Sequence, residues 1–314
     1  MADLLARLQA AVGDAYQIER ELGGGGMSRL FLATESSLRR QVVIKLLPPD
    51  YASEVSEKRF RQEIEVAAHL QHTNILTVLT AGAKDDLLYY VMPFVPGESL
   101  RQRLVRQGKL PLGDAITILR EIADALAHAH ERGVIHRDIK PENILLLGSH
   151  AVLTDFGVAR ALEQSATGQR LTDTGVGIGT PGYMPPEQAT GDRNIDESVD
   201  VYALAAVGYE MLAGRHPFAG KSTHAIITAQ LTETPRPVSE LRDETPAAVS
   251  VAIGRALARN PNVRLRSATE FREALGAATA GRMLARWQRV AIGAVIMMVL
   301  ILLGGAIFLP RPRS

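Results

Sequence analysis

The stretch HRDIKPENILL, residues 136–146, sets two acids, two cations and an amide at short fixed intervals. Twelve residues beyond Asn143 a further acid, Asp155, opens the triplet DFG. Asp138 is placed to accept the proton of a hydroxyl. Asn143 and Asp155 offer hard oxygen ligands, which suit Mg2+ better than a softer metal. Lys140 supplies a point charge near the place where a phosphate would transfer. A lone DFG carries little weight. The complete spacing, with a second acid beyond an apolar run, is too specific for coincidence.

Two more charged residues sit in apolar surroundings. Lys45 interrupts VVIKLL. By strand alternation it either points to solvent or faces inward against a partner. Glu63 shares the i, i+3, i+4, i+7 face of Phe60, Ile64, Ala67 and Leu70, with Glu65 nearly opposite. A carboxylate facing a core and a lysine on a nearby strand would satisfy each other; two solvated faces are the plain alternative. Four consecutive glycines, 23–26, separate strand-like segments that contain Leu22 and Leu30. Such a run is entropically expensive to order. It is either a loose hairpin or a loop whose bare backbone lies close to a ligand.

The elements that must position these groups divide in two. SRLFLAT and QVVIKLL, joined by ESSLRR, read as paired strands, and TVLTAGAKDDLLYYVMPFV as a hairpin turning at KDD. Between them SEVSEKRFRQEIEVAAHLQ reads as a helix, with Ser53 or Ser56 as its N-cap. From Pro96 onward helices dominate, in the segments that begin at Leu112, Asp196, Ala247 and Ala268. The N-terminus repeats Leu4, Leu5, Leu8 and Val12 at helical spacing, which predicts a short amphipathic helix within residues 1–15. Residues 162–179 lack apolar periodicity and read as a long functional loop. His69 and His72 sit at a helix end, where a capping role fits; His128 and His130 do not share a helix face.

Composition excludes some classes of function. A net charge of +1 draws nothing toward nucleic acid, and the absence of cysteine removes disulfides and thiolate metal sites. Residues 290–309 run for 20 positions without a charge, long enough at helical rise to cross about 30 Å of hydrocarbon. Trp287 lies just before that span, and Arg282, Arg286 and Arg289 make residues 277–289 a basic juxtamembrane segment. Residues 310–314 form a short tail.

At this point the chain resembles a known family, the bacterial serine/threonine kinases related to the eukaryotic protein kinases. The resemblance covers residues 16–276 and implies an α+β, two-lobed fold: a β-rich lobe over 16–95 and a helical lobe over 96–276. It implies ATP and Mg2+ in the cleft between the lobes, with Asn143 and Asp155 on the metal. The glycine-rich loop would be Gly23, Gly24, Gly25, Gly26, Met27, Ser28 and Arg29, its N–H groups approaching the phosphates. Lys45 would hold the α- and β-phosphates and pair with Glu63. Leu22, Leu30, Val43 and Leu145 would sandwich the purine. Met92 would form the back wall, while the Pro93 carbonyl and the Val95 N–H meet adenine. GTPGYMPPE, residues 179–187, resembles the segment that receives a substrate peptide. Glu187 would pair with Arg264, and Asp200 would brace the catalytic loop. Lys140 and Thr180 argue for serine/threonine over tyrosine.

Three positions depart from the family pattern: Ser28 for the third glycine, Val43 for an alanine, and Pro185 in the Ala-Pro-Glu triplet. None deletes a catalytic group. The expected activity is transfer of the ATP γ-phosphate to Ser/Thr hydroxyls of proteins, with autophosphorylation at Thr172 and Thr174 ordering the loop against Arg137. The alternatives are a membrane pseudokinase scaffold and a small-molecule phosphotransferase. The expected location is the inner membrane, single-pass, with the kinase domain cytoplasmic because ATP is there. Gly304 and Gly305 offer small residues for a homodimer through the span, although no G-x-x-x-G is present.

Overall fold

The computed structural model describes residues 2–25, 28–47, 54–84, 86–156, 182–192, 195–218 and 222–276. Five antiparallel strands make the smaller lobe: β1 (Tyr16–Gly25), β2 (Ser28–Glu35), β3 (Arg40–Leu46), β4 (Thr80–Lys84) and β5 (Leu87–Pro93). Their order in the sheet is β1-β2-β3-β5-β4. Both faces of this sheet are covered, which is why VVIKLL reads as a continuous apolar run rather than a clean alternation. Phe31, Ala33, Val42, Ile44 and Val91 pack on one side against Leu8 and Val12. Those two belong to α1 (Ala2–Val12), whose apolar stripe closes the outer face of the sheet. Gln9 fastens the junction: its amide donates to the Tyr16 carbonyl at 2.8 Å and its oxygen accepts from the Ile18 N–H at 3.0 Å. On the other side Val43, Leu88, Tyr90 and Met92 meet Phe60 and Ile64. Phe60 and Ile64 come from α2 (Glu54–Ala68). That helix starts at Glu54, which puts Ser56 in its first turn; Ser53 lies outside the described residues.

The larger lobe is built on α4 (Leu112–His130) and α6 (Ser198–Ala213). α6 is buried on nearly every side, as its run of Val, Ala, Tyr and Leu requires. A Cβ at Gly208 would sit 2.9 Å from a methyl of Leu119, so α4 and α6 meet where one side chain is missing. α6 stops at Gly214, whose φ of 73° is left-handed, as the sequence GRHP suggests. Around this pair lie α3 (Leu100–Gln107), α5 (Pro186–Ala189), α7 (Thr223–Thr232), α8 (Ala247–Ala256) and a helix α9 over 268–276. Leu119, Ile122, Leu126, Phe271 and Leu275 are 0% exposed, each stabilising the fold by about 1.5–3 kcal/mol. α3 and α7 are not among the helices expected from periodicity. α3 carries a legible signal in its capping box, where Ser99 accepts from the Gln102 N–H and the Gln102 side chain answers to Ser99.

A small sheet, β6 (Glu98–Ser99), β7 (Ile144–Leu147) and β8 (His150–Leu153), lies at the junction of the lobes. β8 also bridges to Ile75, and Leu76 donates to the Leu153 carbonyl at 2.9 Å. The segment after α2 is thereby stitched to the strand that leads into Asp155. The expected span 290–309, the basic segment 277–289 and the tail 310–314 lie outside the described residues. Among the described residues no helix is long and apolar enough to cross a membrane.

Candidate active site

The loop from His136 to Asn143 connects α4 to β7 and is held from behind by Asp200 on α6. Asp200 is fully buried and accepts from the N–H groups of His136 and Arg137, each at 2.8 Å. Its Oδ2 also meets His130 Nε2 at 2.8 Å. Burial would push the Asp200 carboxyl up; His130 and the backbone N–H of His136 outweigh it and hold the carboxyl below its ordinary value. His130 moves the opposite way: burial lowers it, but Asp200 and Glu197 raise it overall. This brace supports a costly backbone, since Arg137 has φ 67°. His136 is locked as well. Its Nε2 donates to the Thr154 carbonyl at 2.7 Å and its Nδ1 accepts from the Asp138 N–H at 3.2 Å.

Asp138 stands at the centre of the site. Lys140 Nζ lies 2.6 Å from its Oδ2. The Asn143 amide donates to the Asp138 carbonyl at 2.8 Å and to Oδ2 at 3.1 Å. The Asn143 carbonyl accepts from the Thr154 N–H at 2.9 Å, so the loop is tied directly to the residue before Asp155. Asp155 is itself left-handed, φ 71°, and its carboxylate is 11% exposed. Lys45 Nζ reaches it at 2.7 Å from the other lobe, and the Tyr90 hydroxyl donates to its Oδ1. Burial would raise this carboxyl; the charge and hydrogen bond of Lys45, with the Tyr90 hydrogen bond, bring it below the usual carboxylate range.

The ion pair on Lys45 therefore differs from the expected one. Its partner is Asp155 rather than Glu63. The more deeply buried carboxylate has more to gain from the ammonium. Glu63 sits half-buried on α2, on the helix side that carries Phe60 and Ile64 into the core. Arg29 also departs from a nucleotide role, because Glu21 across the β1–β2 ladder holds its guanidinium at 2.8 Å.

The apolar half of the cleft assembles as expected. Leu22 and Leu30 pack on the cluster of Val43 and Met92. Leu145 is half-buried on β7, in the small sheet below. β5 ends at Pro93, whose neighbour Phe94 donates to the Gln41 carbonyl at 3.3 Å, and the Val95 carbonyl accepts from Gly97 at 2.9 Å. The glycine run is mostly strand. β1 continues through Gly25, which pairs with Ser28, and Gly23 needs its φ of 120° at an irregularity in the register. Gly26 and Met27 lie outside the described residues, as do Thr172, Thr174 and Thr180.

Below the catalytic loop, Arg264 is completely enclosed and takes both oxygens of Glu187, at 2.6 and 3.1 Å. It also stacks 5.0 Å from the Tyr202 ring centroid. Gln188, one residue on, donates to the Arg137 carbonyl at 2.9 Å. Pro185 and Pro186 head α5, where the N–H groups they lack have no helical partner in any case. A second network escaped the sequence reading. Arg101 on α3 pairs with Glu142 of the catalytic loop at 2.7 Å and Glu210 of α6 at 2.8 Å. It also donates to the Tyr183 hydroxyl. His216 and Gln230 converge on the Gly182 carbonyl, at 2.6 and 2.9 Å.

A catalytic loop braced by a buried aspartate, an acid reached by a strand lysine, and an Arg–Glu pair beneath them recur as one constellation in known proteins. The protein kinase domain family matches this chain over residues 16–274. The chain belongs to that family. It is 39% identical over 264 residues to the serine/threonine-protein kinase PrkC of Bacillus subtilis, covering 83% of this chain and 40% of that protein. It is 38% identical over 267 residues to the serine/threonine-protein kinase PknB of Mycobacterium tuberculosis, covering 83% and 42%. The chain thus spans about two-fifths of the length of these curated relatives. Among solved structures, the kinase domain of Mycobacterium tuberculosis PknI, crystallised as a point mutant, superposes with a TM-score of 0.67. That match has 29% identity and covers 85% of this chain and 96% of the PknI chain.

With the kinase domain recognised, the histidines read simply. His130 is part of the brace behind the catalytic loop. His69 caps α2, its Nδ1 donating to the Glu65 carbonyl at 2.7 Å. His72 and His128 stack on each other at 5.1 Å beside Asp124. The family uses ATP and a divalent metal, and the donor set here fits one. Asn143 commits its amide nitrogen to Asp138, so its side-chain oxygen is the atom left for a cation. No group of three or more His, Asp or Glu able to hold a metal occurs among the described residues. Two protein oxygens plus the oxygens of a nucleotide make the kind of site that Mg2+ favours.

Proposed function

We propose that this chain is a protein kinase that transfers the ATP γ-phosphate to serine and threonine hydroxyls of proteins. The observation that carries the reading is the convergence of Asp138, Lys140 and Asn143 in one hydrogen-bonded cluster, 2.6–3.1 Å apart, tied through Thr154 to an Asp155 that Lys45 reaches from the other lobe. Asp138 accepts the proton of the acceptor hydroxyl, and Lys140 places its charge beside the transferring phosphoryl. Lys45 holds phosphate oxygens. Asn143 and Asp155 hold Mg2+, which when bound neutralises charge on the β- and γ-phosphates. Leu22, Leu30, Val43, Met92 and Leu145 supply the apolar walls for adenine. Gly23–Gly26 let backbone N–H groups approach the phosphates.

The braced segment from Gly182 to Glu187 supports a peptide acceptor rather than a small molecule. No observation favours the pseudokinase reading, since every expected catalytic group is present. Incubation with γ-labelled ATP and a generic basic protein, followed by acid hydrolysis, tests the assignment. Label in phosphoserine and phosphothreonine supports it; label in phosphotyrosine alone, or transfer only to an aminoglycoside, contradicts it.

Anchoring by residues 290–309, with the kinase domain on the cytoplasmic face, is part of the same proposal and rests on the uncharged run. Lateral association through that span is its proposed mode of regulation, together with phosphorylation of Thr172 and Thr174. Resistance of the full chain to alkaline carbonate extraction from membranes supports the anchor; release into the supernatant contradicts it. Mass spectrometry of active enzyme showing both threonines unmodified would count against the loop sites.

A further inference from the structure

Tyr90 lies on β5 directly opposite Lys45 in the β3–β5 ladder and is 0% exposed. Its neighbours are apolar: Val43, Phe60, Ile64, Leu88 and Met92 share its cluster. A phenylalanine would fill this space equally well, so packing does not call for the hydroxyl. Once buried, a phenol must find an acceptor. The acceptor here is Asp155 Oδ1, which lies 65 residues away in sequence, while Lys45 takes Oδ2 at 2.7 Å. The Lys45 ammonium also sits 5.9 Å from the centroid of the Tyr90 ring.

The two contacts do different things. A carboxylate held at one oxygen can still pivot about that contact. Held at both, its plane is fixed, and so are the directions of its remaining lone pairs. We propose that Tyr90 is a positioning residue for the kinase reaction, its hydroxyl setting the plane in which Asp155 presents oxygen to the divalent metal. The inference rests on the reading of Asp155 as a metal ligand. Outer hydrogen bonds of this kind orient metal ligands, and their loss costs about 10–100-fold in metal affinity or activity.

The test compares the full chain, Tyr90→Phe and Asp155→Asn by calorimetric titration of ADP at a series of Mg2+ concentrations, with transfer kinetics alongside. For Tyr90→Phe, ADP affinity without Mg2+ should stay within about twofold of the parent, because no nucleotide contact is removed. The Mg2+ concentration that half-maximally enhances ADP binding should rise about tenfold, and kcat should fall by a similar factor with KM for the protein acceptor unchanged. Superimposable Mg2+ titrations for Tyr90→Phe, with Asp155→Asn shifted, would overturn the positioning role and leave the metal reading intact. An unshifted Asp155→Asn would overturn the metal reading itself. Failure of Tyr90→Phe to fold would assign the hydroxyl to the architecture and likewise overturn the proposal, since the change keeps the ring and removes one oxygen.

Discussion

Replacing Asp200 by asparagine tests the brace behind the catalytic loop without changing its shape. The carboxylate accepts three hydrogen bonds: Arg137 N–H on Oδ1, and His136 N–H and His130 on Oδ2. An amide has one oxygen and one NH2 group, so either orientation sets a donor against a buried donor. The better orientation keeps the oxygen beside His136 and His130 and loses Arg137. One buried hydrogen bond to a charged group is then gone, a cost of about 1.5–3 kcal/mol. At about 2–4 °C per kcal/mol for a domain of this size, Tm falls by about 3–12 °C. Activity should suffer more than stability. Arg137 holds φ 67° next to Asp138, and that conformation needs its N–H anchored. A displacement of about 1 Å at the acid costs on the order of 10²-fold in rate. Scanning fluorimetry and initial transfer rates at 25 °C read the two effects separately. An Asp200→Asn protein that melts within about 1 °C of the parent and keeps about half its kcat would refute the reasoning.

Three further outcomes follow from the same structure. Arg264→Ala leaves Glu187 without its fully enclosed partner and should cost about 3–5 kcal/mol, read from chemical denaturation. Leu8→Ala opens a cavity between α1 and the sheet and should cost about 2–5 kcal/mol; a change below about 0.5 kcal/mol would mean that α1 is not part of the folded core. His130 is raised above its ordinary value by Asp200 and Glu197, so its ion pair stabilises the fold fully below about pH 6.5 and the benefit is lost as pH rises through the raised value. The stability difference between the parent and His130→Gln should accordingly be largest near pH 6 and shrink toward pH 9, whereas a difference that grows with pH would reverse the assignment.

What could be read from sequence was local or periodic. Asp138, Lys140 and Asn143 fall within six residues, and one turn of chain brings them together. β2, β3 and the β4–β5 hairpin followed from apolar runs bounded by turn residues, and α4 and α6 from length and composition. The contacts that escaped notice join residues far apart. Tyr90 looked like one more apolar strand residue, although it shares a face with Met92 two positions on, and that face meets the cleft. The partner of Lys45 was misjudged because Glu63 and Asp155 compete for one ammonium, and burial, which sequence does not display, favours Asp155. Arg101 sits in a polar helix whose only clear signal is the Ser99–Gln102 capping box. Its three partners come from the catalytic loop, α6 and the segment at Tyr183. His130 was set aside as one of two adjacent histidines, yet its place in the last turn of α4 points it at Asp200.

The most direct test of the account is transfer of labelled γ-phosphate to a protein acceptor by the full chain and by its Asp138→Asn variant, at saturating ATP and Mg2+. Removing the group that accepts the hydroxyl proton should lower kcat by about 10²–10⁴-fold while nucleotide binding persists. Equal incorporation by the two proteins would contradict the assignment of Asp138, and with it the chemistry built around the loop.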